Sequence, residues 1–280
     1  ASTWTEELTI ETLRHAITAF SSIPKLQVEV EALSNLMLGD FKTYFMKDDV
    51  LPGFVKIDKR HQVTQIIHPN DGITGIEYRL LPLSQGVLSG ILKGKNAENA
   101  LRLIRDHLLF PDGVRLMDRP SVYHGGVSKI FKRAEQAANF GREIGLLYVH
   151  AHIRYADAVS KYGDPQKAWS LLQLVNPIQL KKRVSNAALR QANTYFSSSD
   201  ADFKDRYEAQ AHFDKVRSQE VPVKGGWRLY SSGPGIYIGT LLTSIFKFKS
   251  SETFNLTNGH YLLDFDPDIE ISLKNFKKIK

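Results

Sequence analysis

Ile10-Glu11-Thr12-Leu13-Arg14-His15-Ala16-Ile17-Thr18-Ala19-Phe20, the break Ser21-Ser22-Ile23-Pro24, and the following run from Leu26 to Phe45 decide the fold class of this chain. Ile10, Leu13, Ile17 and Phe20 recur at three- and four-residue steps, and so do Leu26, Val30, Leu33, Met37, Phe41 and Phe45. That period puts each apolar set on one face of a helix, and a polar break ending in proline stops the first helix and starts the second. The stretch reads as a helical hairpin. Residues 53–57 and 63–67 change character to short β-prone runs, so a small β-hairpin is expected there. Helical periodicity resumes over 80–92, 97–109, 143–161 and 165–174, and again over 236–246.

Repeated helical hairpins separated by irregular loops predict an α/α barrel, with the loops at one end forming the floor of a site. No sequence repeat of fixed period is visible, which disfavours a helical solenoid. The region from Phe110 to Phe140 carries Pro111, Gly113, Pro120, Gly125 and Gly126, breakers that leave a long loop of the kind that lines sites. After residue 250 the chain turns to short alternating runs such as 261–265 and 269–273, expected as the start of a β-module. The predicted organisation is a helical domain over 1–249 followed by an incomplete β-module over 250–280.

Composition bounds the rest. With 280 residues and 42% hydrophobic content the chain can bury a substantial core. It has no cysteine, so disulfides and thiolate metal sites are excluded, and a reducing, cytoplasmic setting is expected. No apolar run approaches the roughly 20 residues needed to cross a bilayer, and no membrane partner is expected. The net charge is +7, but Lys274, Lys277, Lys278 and Lys280 supply four of those charges at the very end. The remaining +3 forms no basic stripe with interleaved aromatics, so no nucleic-acid partner is expected.

Two segments concentrate chemistry that binds anions. Tyr148-Val149-His150-Ala151-His152-Ile153-Arg154 brings two imidazoles and a guanidinium together. Gly225-Gly226-Trp227-Arg228-Leu229-Tyr230-Ser231-Ser232-Gly233-Pro234-Gly235 sets two hydroxyls among glycines ahead of a helix, where bare N–H groups receive a phosphate. The i, i+2 spacing of the histidines keeps them off a common helix face, so a two-histidine metal pair is not expected, and one of them reads as a hydrogen-bonded core residue. The glycine segment also reads simply as turns before a helix. Ser197-Ser198-Ser199-Asp200 reads as a polar loop or cap with Asp200 as capping residue, or as a substrate-facing loop. Asp202 and Asp205 read as solvated carboxylates. Trp4 and Trp169 are expected in the core.

Further runs carry a resemblance. They are Asp71–Pro82, Pro111–Pro120, Glu135-Gln136-Ala137-Ala138-Asn139-Phe140-Gly141-Arg142-Glu143-Ile144-Gly145 and Gln191-Ala192-Asn193-Thr194-Tyr195-Phe196-Ser197-Ser198-Ser199-Asp200-Ala201. Together with the two anion-binding segments, and in the same order along nearly the whole chain, they resemble the cellobiose phosphorylase family, glycoside hydrolase family ninety-four. The likeness is greatest to members acting on β-1,2-linked oligoglucans.

The resemblance implies a mainly α fold, part of an (α/α)6 barrel. It also implies an inverting phosphorolysis of a β-linked gluco-oligosaccharide to α-glucose 1-phosphate. Such chemistry uses inorganic phosphate as co-substrate and no other cofactor, a single carboxylic acid sufficing because phosphate is already an anionic nucleophile. His150 matches the family's phosphate-contacting histidine. Ser231 stands where other members carry threonine, and Ser232 where they carry glycine, which moves the expected backbone donor toward Gly233. Arg190 and Gln191 match the donor-sugar region. Arg119, Tyr123 and Trp227 are candidate sugar contacts through a charged fork and flat aromatic faces, with surface decoration and core sealing as the alternatives. The family's catalytic aspartate would fall upstream of Ala1, so the chain is expected to be a fragment without its general acid and inactive alone. Related enzymes are commonly dimeric, making a homodimer the expectation. A noncatalytic glycan-binding module and an α/α-barrel hydrolase remain the alternatives.

Overall fold

A computed structural model describes residues 1–131, 133–136, 147–189, 196–225 and 232–246, together with the backbone of two short strands at 261–262 and 270–271. Arg133 and Ser232 are described by their backbone alone. The fold is mainly α with a few two-stranded antiparallel sheets.

The first hairpin is α1 (Thr3–Ala19) and α2 (Pro24–Tyr44). Pro24 occupies the first helical position, where its fixed φ suits the helix and its missing N–H costs nothing. The residue before a proline is pushed out of the helical region, and Ile23 accordingly sits at φ −125°. Buried Ile10 of α1 shares a core with Phe41 and Phe45, whose rings stack 4.9 Å apart. The β-hairpin follows as β1 (Phe54–Ile57) and β2 (Val63–Ile66), with Phe54 opposite Ile66.

The second hairpin is α3 (Leu80–Leu88) and α4 (Lys95–Leu103). Gly90 and Gly94 both take positive φ in its turn. The predicted helix over 97–109 differs in its last part: α4 passes into a π-turn at Ile104–Leu108. The chain then makes a minimal antiparallel pair, β3 (Leu109–Phe110) and β4 (Gly113–Val114), and a short α5 (Arg133–Gln136).

The third hairpin is α6 (Val149–Tyr162) and α7 (Pro165–Val175). Gly163 at φ 120° ends α6, while the Asp164 carboxylate accepts the Lys167 N–H at 2.8 Å to cap α7. Then come α8 (Leu180–Arg183), β5 (Ser199–Ala201), α9 (Arg206–Ala211), α10 (Asp214–Arg217), β6 (Val223–Gly225) and α11 (Ser232–Thr240), which runs into a second π-turn at Leu241–Ile245. Two strands, β7 (Tyr261–Leu262) and β8 (Glu270–Ile271), pair antiparallel near the end.

α1, α3, α6 and α11 succeed one another as packed neighbours. Side-chain bonds fix their direction. Arg14 near the end of α1 donates to Ser89 O at the end of α3 (2.8 Å), and Gln85 Nε2 donates to Glu11 Oε2 (2.6 Å). Arg154 donates to Gln85 Oε1 at 3.0 Å, and further along Lys161 donates to Leu88 O. Ser244 donates to Asp157 (2.5 Å), and Ser160 donates to Ser244 O (2.6 Å). Order is kept in the first two pairs, and in the third the late part of α6 meets the end of the α11 rod, which packs along α6, so the four helices are parallel and present their N-termini at one end. The hairpin turns return α2, α4 and α7 antiparallel to them. One apolar cluster joins Ile10, Leu83, Ile104, Ala151, Ile153, Leu172 and Phe246 through these elements. A second one, around Phe110, Leu180, Val184, Phe203, Phe213 and Val223, packs β3 against the segments from α8 to β6. Trp169 is buried as expected and Trp4 half-buried.

Candidate functional site

The site is built from short backbone pairings at the N-terminal end of that helix row. Arg115, just after β4, pairs with Leu147, and Tyr148 pairs with Ser198 just before β5. Val149 N–H donates to Ser197 O and Ser199 N–H to Leu147 O, both at 3.0 Å. β5 in turn pairs with β6, with Ser199 opposite Gly225. The segment entering α6 and the segment leading toward α11 therefore lie two ladder steps apart, about 10 Å. Both continue into parallel, contacting helices. Helix N-termini carry unpaired N–H groups and about half a positive charge, and here two such ends face the same way.

The three serines of Ser197-Ser198-Ser199 are all buried, and Ser199 and Asp200 belong to β5. The expected loop or cap is thus corrected: ladder pairing takes the serine backbone inward, and the capping carboxylate of α9 is that of Asp205, which accepts from Tyr207 N (3.0 Å) and Glu208 N (2.9 Å). Asp202 is exposed and faces Lys224 Nζ at 3.2 Å. Gly225 packs against the Phe196 ring so closely that a Cβ would enter it. Gly225→Ala should cost about 1–3 kcal/mol of stability by overpacking, read as a lower urea midpoint for the variant.

His150 sits in the first turn of α6, half-buried, with its ring stacked on Tyr148 at 5.7 Å and 20°. Burial, and then the nearby Arg154 cation, hold its pKa below the ordinary histidine value. At neutral pH the ring is uncharged and offers one N–H donor. His152, two residues on, points the other way. It is fully buried; its Nδ1 accepts the Val114 N–H at 3.1 Å and its Nε2 donates to Leu171 O at 2.7 Å. Of the two imidazoles, His152 is the core residue. Arg154 is partly exposed and held by Gln85 and by Asp157 at 3.5 Å.

Gly233 is buried in the first turn of α11. Ser231, Trp227, Arg190 and Gln191 lie outside the described residues, as does the Ser232 side chain. The segment from β4 to Asp118 crosses the starts of α6 and α3: Leu80 N–H donates to Leu116 O at 2.9 Å, and Asp118 Oδ1 accepts from Glu77 N and Tyr78 N, both at 2.9 Å. Arg119 therefore emerges at the same end as His150. Its guanidinium is exposed and engaged by Asp118 (2.9 Å) and Glu77 (3.6 Å). Tyr123 lies beneath the Arg206 guanidinium (5.1 Å) and edge-on to Tyr207 (5.3 Å).

Residues that hold this end together were not singled out from sequence. Arg115 and Asp112, 1% and 5% exposed, form an ion pair at 2.6 Å, and the Arg115 guanidinium covers the Phe110 ring at 4.4 Å. Buried Arg206 donates to Ser121 O (3.1 Å) and Ala134 O (3.2 Å), fastening the loop that bears Tyr123. Glu135 is buried yet its pKa lies below the ordinary value: burial raises it, and bonds from the N–H groups of Lys129, Phe131 and Ile130 together outweigh that. The only sequence signal was an Asp and an Arg three apart around Gly113. A cavity of about 680 Å3 lies elsewhere, between α4, the C-terminal half of α6 and the start of α7, with Arg102, Arg105, Tyr155, Tyr162 and Lys167 in its wall. It does not coincide with the end that bears His150.

The architecture so defined is a mainly helical one with helix N-termini, an imidazole and buried glycine gathered at one end. No family model matches the chain. Over 252 residues, 90% of the chain, it is 50% identical to a 1,2-beta-oligoglucan phosphorylase of Listeria innocua. The chain is a relative of that enzyme and spans 23% of its length. No helix among the described residues is long and apolar enough to cross a membrane.

Proposed function

We propose that this chain is part of the catalytic domain of an inverting β-glucan phosphorylase. The whole protein would cleave β-1,2-oligoglucan with inorganic phosphate to give α-glucose 1-phosphate and a shortened glucan. The observation that carries the reading is the ladder from Arg115 to Gly225, which sets the entry to the His150-bearing helix two ladder steps from the strand that precedes α11 in sequence. The similarity to the Listeria enzyme supports it independently. In this reading the row of four parallel helices belongs to an (α/α)6 barrel within residues 1–249, and β7 and β8 belong to a β-module beyond it.

A phosphate oxygen attacks the anomeric carbon while the glycosidic oxygen departs with a proton from an aspartic acid supplied by another part of the whole protein. Attack and departure on opposite faces invert the centre. This chain's own task is to hold the phosphate anion in line with the anomeric carbon and the departing oxygen. The His150 N–H, the Ser231 and Ser232 hydroxyls and the Gly233 N–H are the phosphate donors, and the helix ends supply partial positive charge without a reorganisation cost. Arg190, Gln191, Arg119, Tyr123 and Trp227 hold the sugar. Inorganic phosphate is a co-substrate and no other cofactor is required. The protein works in the cytoplasm as a homodimer.

The test is release of glucose 1-phosphate from β-1,2-glucan by the full-length protein. Strict dependence on phosphate is expected, and release of free glucose without phosphate would refute the reading. In the same assay His150→Ala should lose about 2–3 kcal/mol of phosphate interaction. That is roughly 30- to 150-fold in kcat/KM for phosphate, and an unchanged phosphate dependence would remove His150 from the site.

A further inference from the structure

We propose that His152 is a positioning residue for phosphate, acting through the segment Gly113–Arg115 on the first turn of α6. The inference rests on the functional reading above and adds to it a residue that touches neither phosphate nor sugar. His152 belongs to α6 but spends both ring nitrogens on other elements. One accepts the backbone N–H of Val114 in β4, and the other donates to Leu171 O in α7. The ring thereby pins β4 against α6 and α7 at a depth where no water competes, since His152 is wholly buried.

What β4 does next matters for the site. Arg115 pairs with Leu147, and Leu147 accepts the Ser199 N–H. Two residues later Val149 binds Ser197, and His150 follows. The position of His150 is thus set from one side by the β5 segment and from the other by the β4 segment. The second is anchored by a side chain of α6 itself. The fit is close: Gly113 lies against Leu147 and the His152 ring with no room for a Cβ, and its φ of +135° is one that glycine alone takes easily. Detaching Val114 would free the strand that braces Leu147, so the entry to α6 would widen and the His150 donor would leave the line of the anion. Sub-ångström displacement of a donor is enough to weaken an oriented site.

Two substitutions separate this role from a merely structural one. His152→Asn keeps an oxygen near the Nδ1 position, so Val114 stays bound and the Leu171 bond is lost. His152→Gln keeps a donor near the Nε2 position, so Leu171 stays bound and Val114 is released. Each removes one buried hydrogen bond, so a structural role predicts similar losses in both. In the full-length protein, with glucan saturating, we expect His152→Gln to raise the KM for phosphate about tenfold and His152→Asn to raise it no more than about threefold, the KM for glucan moving by less than about twofold in both. Equal phosphate effects in the two variants would overturn the proposal.

Should the Gln variant fail to fold, the wild-type protein decides. Site coupling is reciprocal, so saturating inorganic phosphate should slow amide exchange at Val114 about tenfold, and glucan alone should not. An unchanged Val114 rate overturns the proposal. His150→Ala is measured beside these: if it raises the phosphate KM while the two His152 variants match, the functional reading stands and this inference fails. If the wild type shows no phosphate dependence, both fall.

Discussion

Asp112→Ala is expected to destabilise the chain by about 3–5 kcal/mol, the usual cost of leaving a buried charge without its partner. Arg115 is 1% exposed and its Nη2 lies 2.6 Å from Asp112 Oδ1; its other contacts are Gly113 O at 3.3 Å and the face of Phe110. None of these replaces a carboxylate. Even the native pair is incompletely served, because Arg115 Nε and Asp112 Oδ2 are buried with no hydrogen-bond partner among the described residues. The ion pair is therefore costly in itself, and the variant Asp112→Ala combined with Arg115→Met should recover most of the loss. Urea unfolding of the two variants measures this. A loss below about 1 kcal/mol for Asp112→Ala would mean that Arg115 finds water or another anion when its partner is gone.

Acidification should produce the second large effect, through His152. Burial is the main cause that brings its pKa down to about 4, with the Leu171 bond opposing it. In the unfolded chain the same ring titrates near 6.5. Between these values the unfolded state takes up a proton that the folded state refuses, so stability present above pH 6.5 is lost as pH falls toward 4, by on the order of 3 kcal/mol. A second buried group works against this. Glu7 of α1 is completely buried, neither of its oxygens has a partner among the described residues, and burial followed by the neighbouring Glu11 raises its pKa well above the ordinary value. Its contribution is fully present below its unfolded pKa and is lost as pH rises through the folded one. The wild type should thus show a muted pH profile. Glu7→Gln should reveal the steep His152 slope between pH 6.5 and 4.5 and should be more stable than wild type at high pH. A flat profile in Glu7→Gln would show that His152 is protonated in the fold.

Where side chains repeat every three or four residues, the elements were plain from sequence. The hairpin of α1 and α2, the β1–β2 excursion, α3, α7 and the helix starting α11 follow from apolar spacing and from prolines at Pro24 and Pro165. The elements that build the site have no such period. β3 and β4 have two residues each, and β5 and β6 three, too few for alternation to register. Ser197, Ser198 and Ser199 therefore read as a polar loop or cap, or as a substrate-facing loop, although their backbones are claimed by the entry to α6. The spacing of His150 and His152 already put them on different faces of a helix. Which face met the core depended on Val114 and Leu171, partners 38 and 19 residues away from His152. Asp112 and Arg115 were hidden for the same reason, since nothing local says that an exposed-looking loop will be buried under Phe213 and the α8–β6 segments.

Two π-turns among the described residues, at Ile104–Leu108 and Leu241–Ile245, carry a consequence for how this scaffold tolerates change in length. A hydrogen-bonded ring that closes over five residues houses one residue more than an α-turn, and such bulges are confined to a single turn. Removing one residue from either turn should let it relax to an ordinary α-turn instead of breaking the rod. Because the wider turn completes one winding of the rod with its extra residue, the helix beyond it would keep nearly its present phase. Beyond the second turn Phe246 should therefore keep its apolar seat, whereas inside the turn the Ser244 link to Asp157 and Ser160 is the contact a deletion would disturb. Single-residue length variation among relatives should therefore gather at these two turns, with the side chains beyond them still facing the same neighbours.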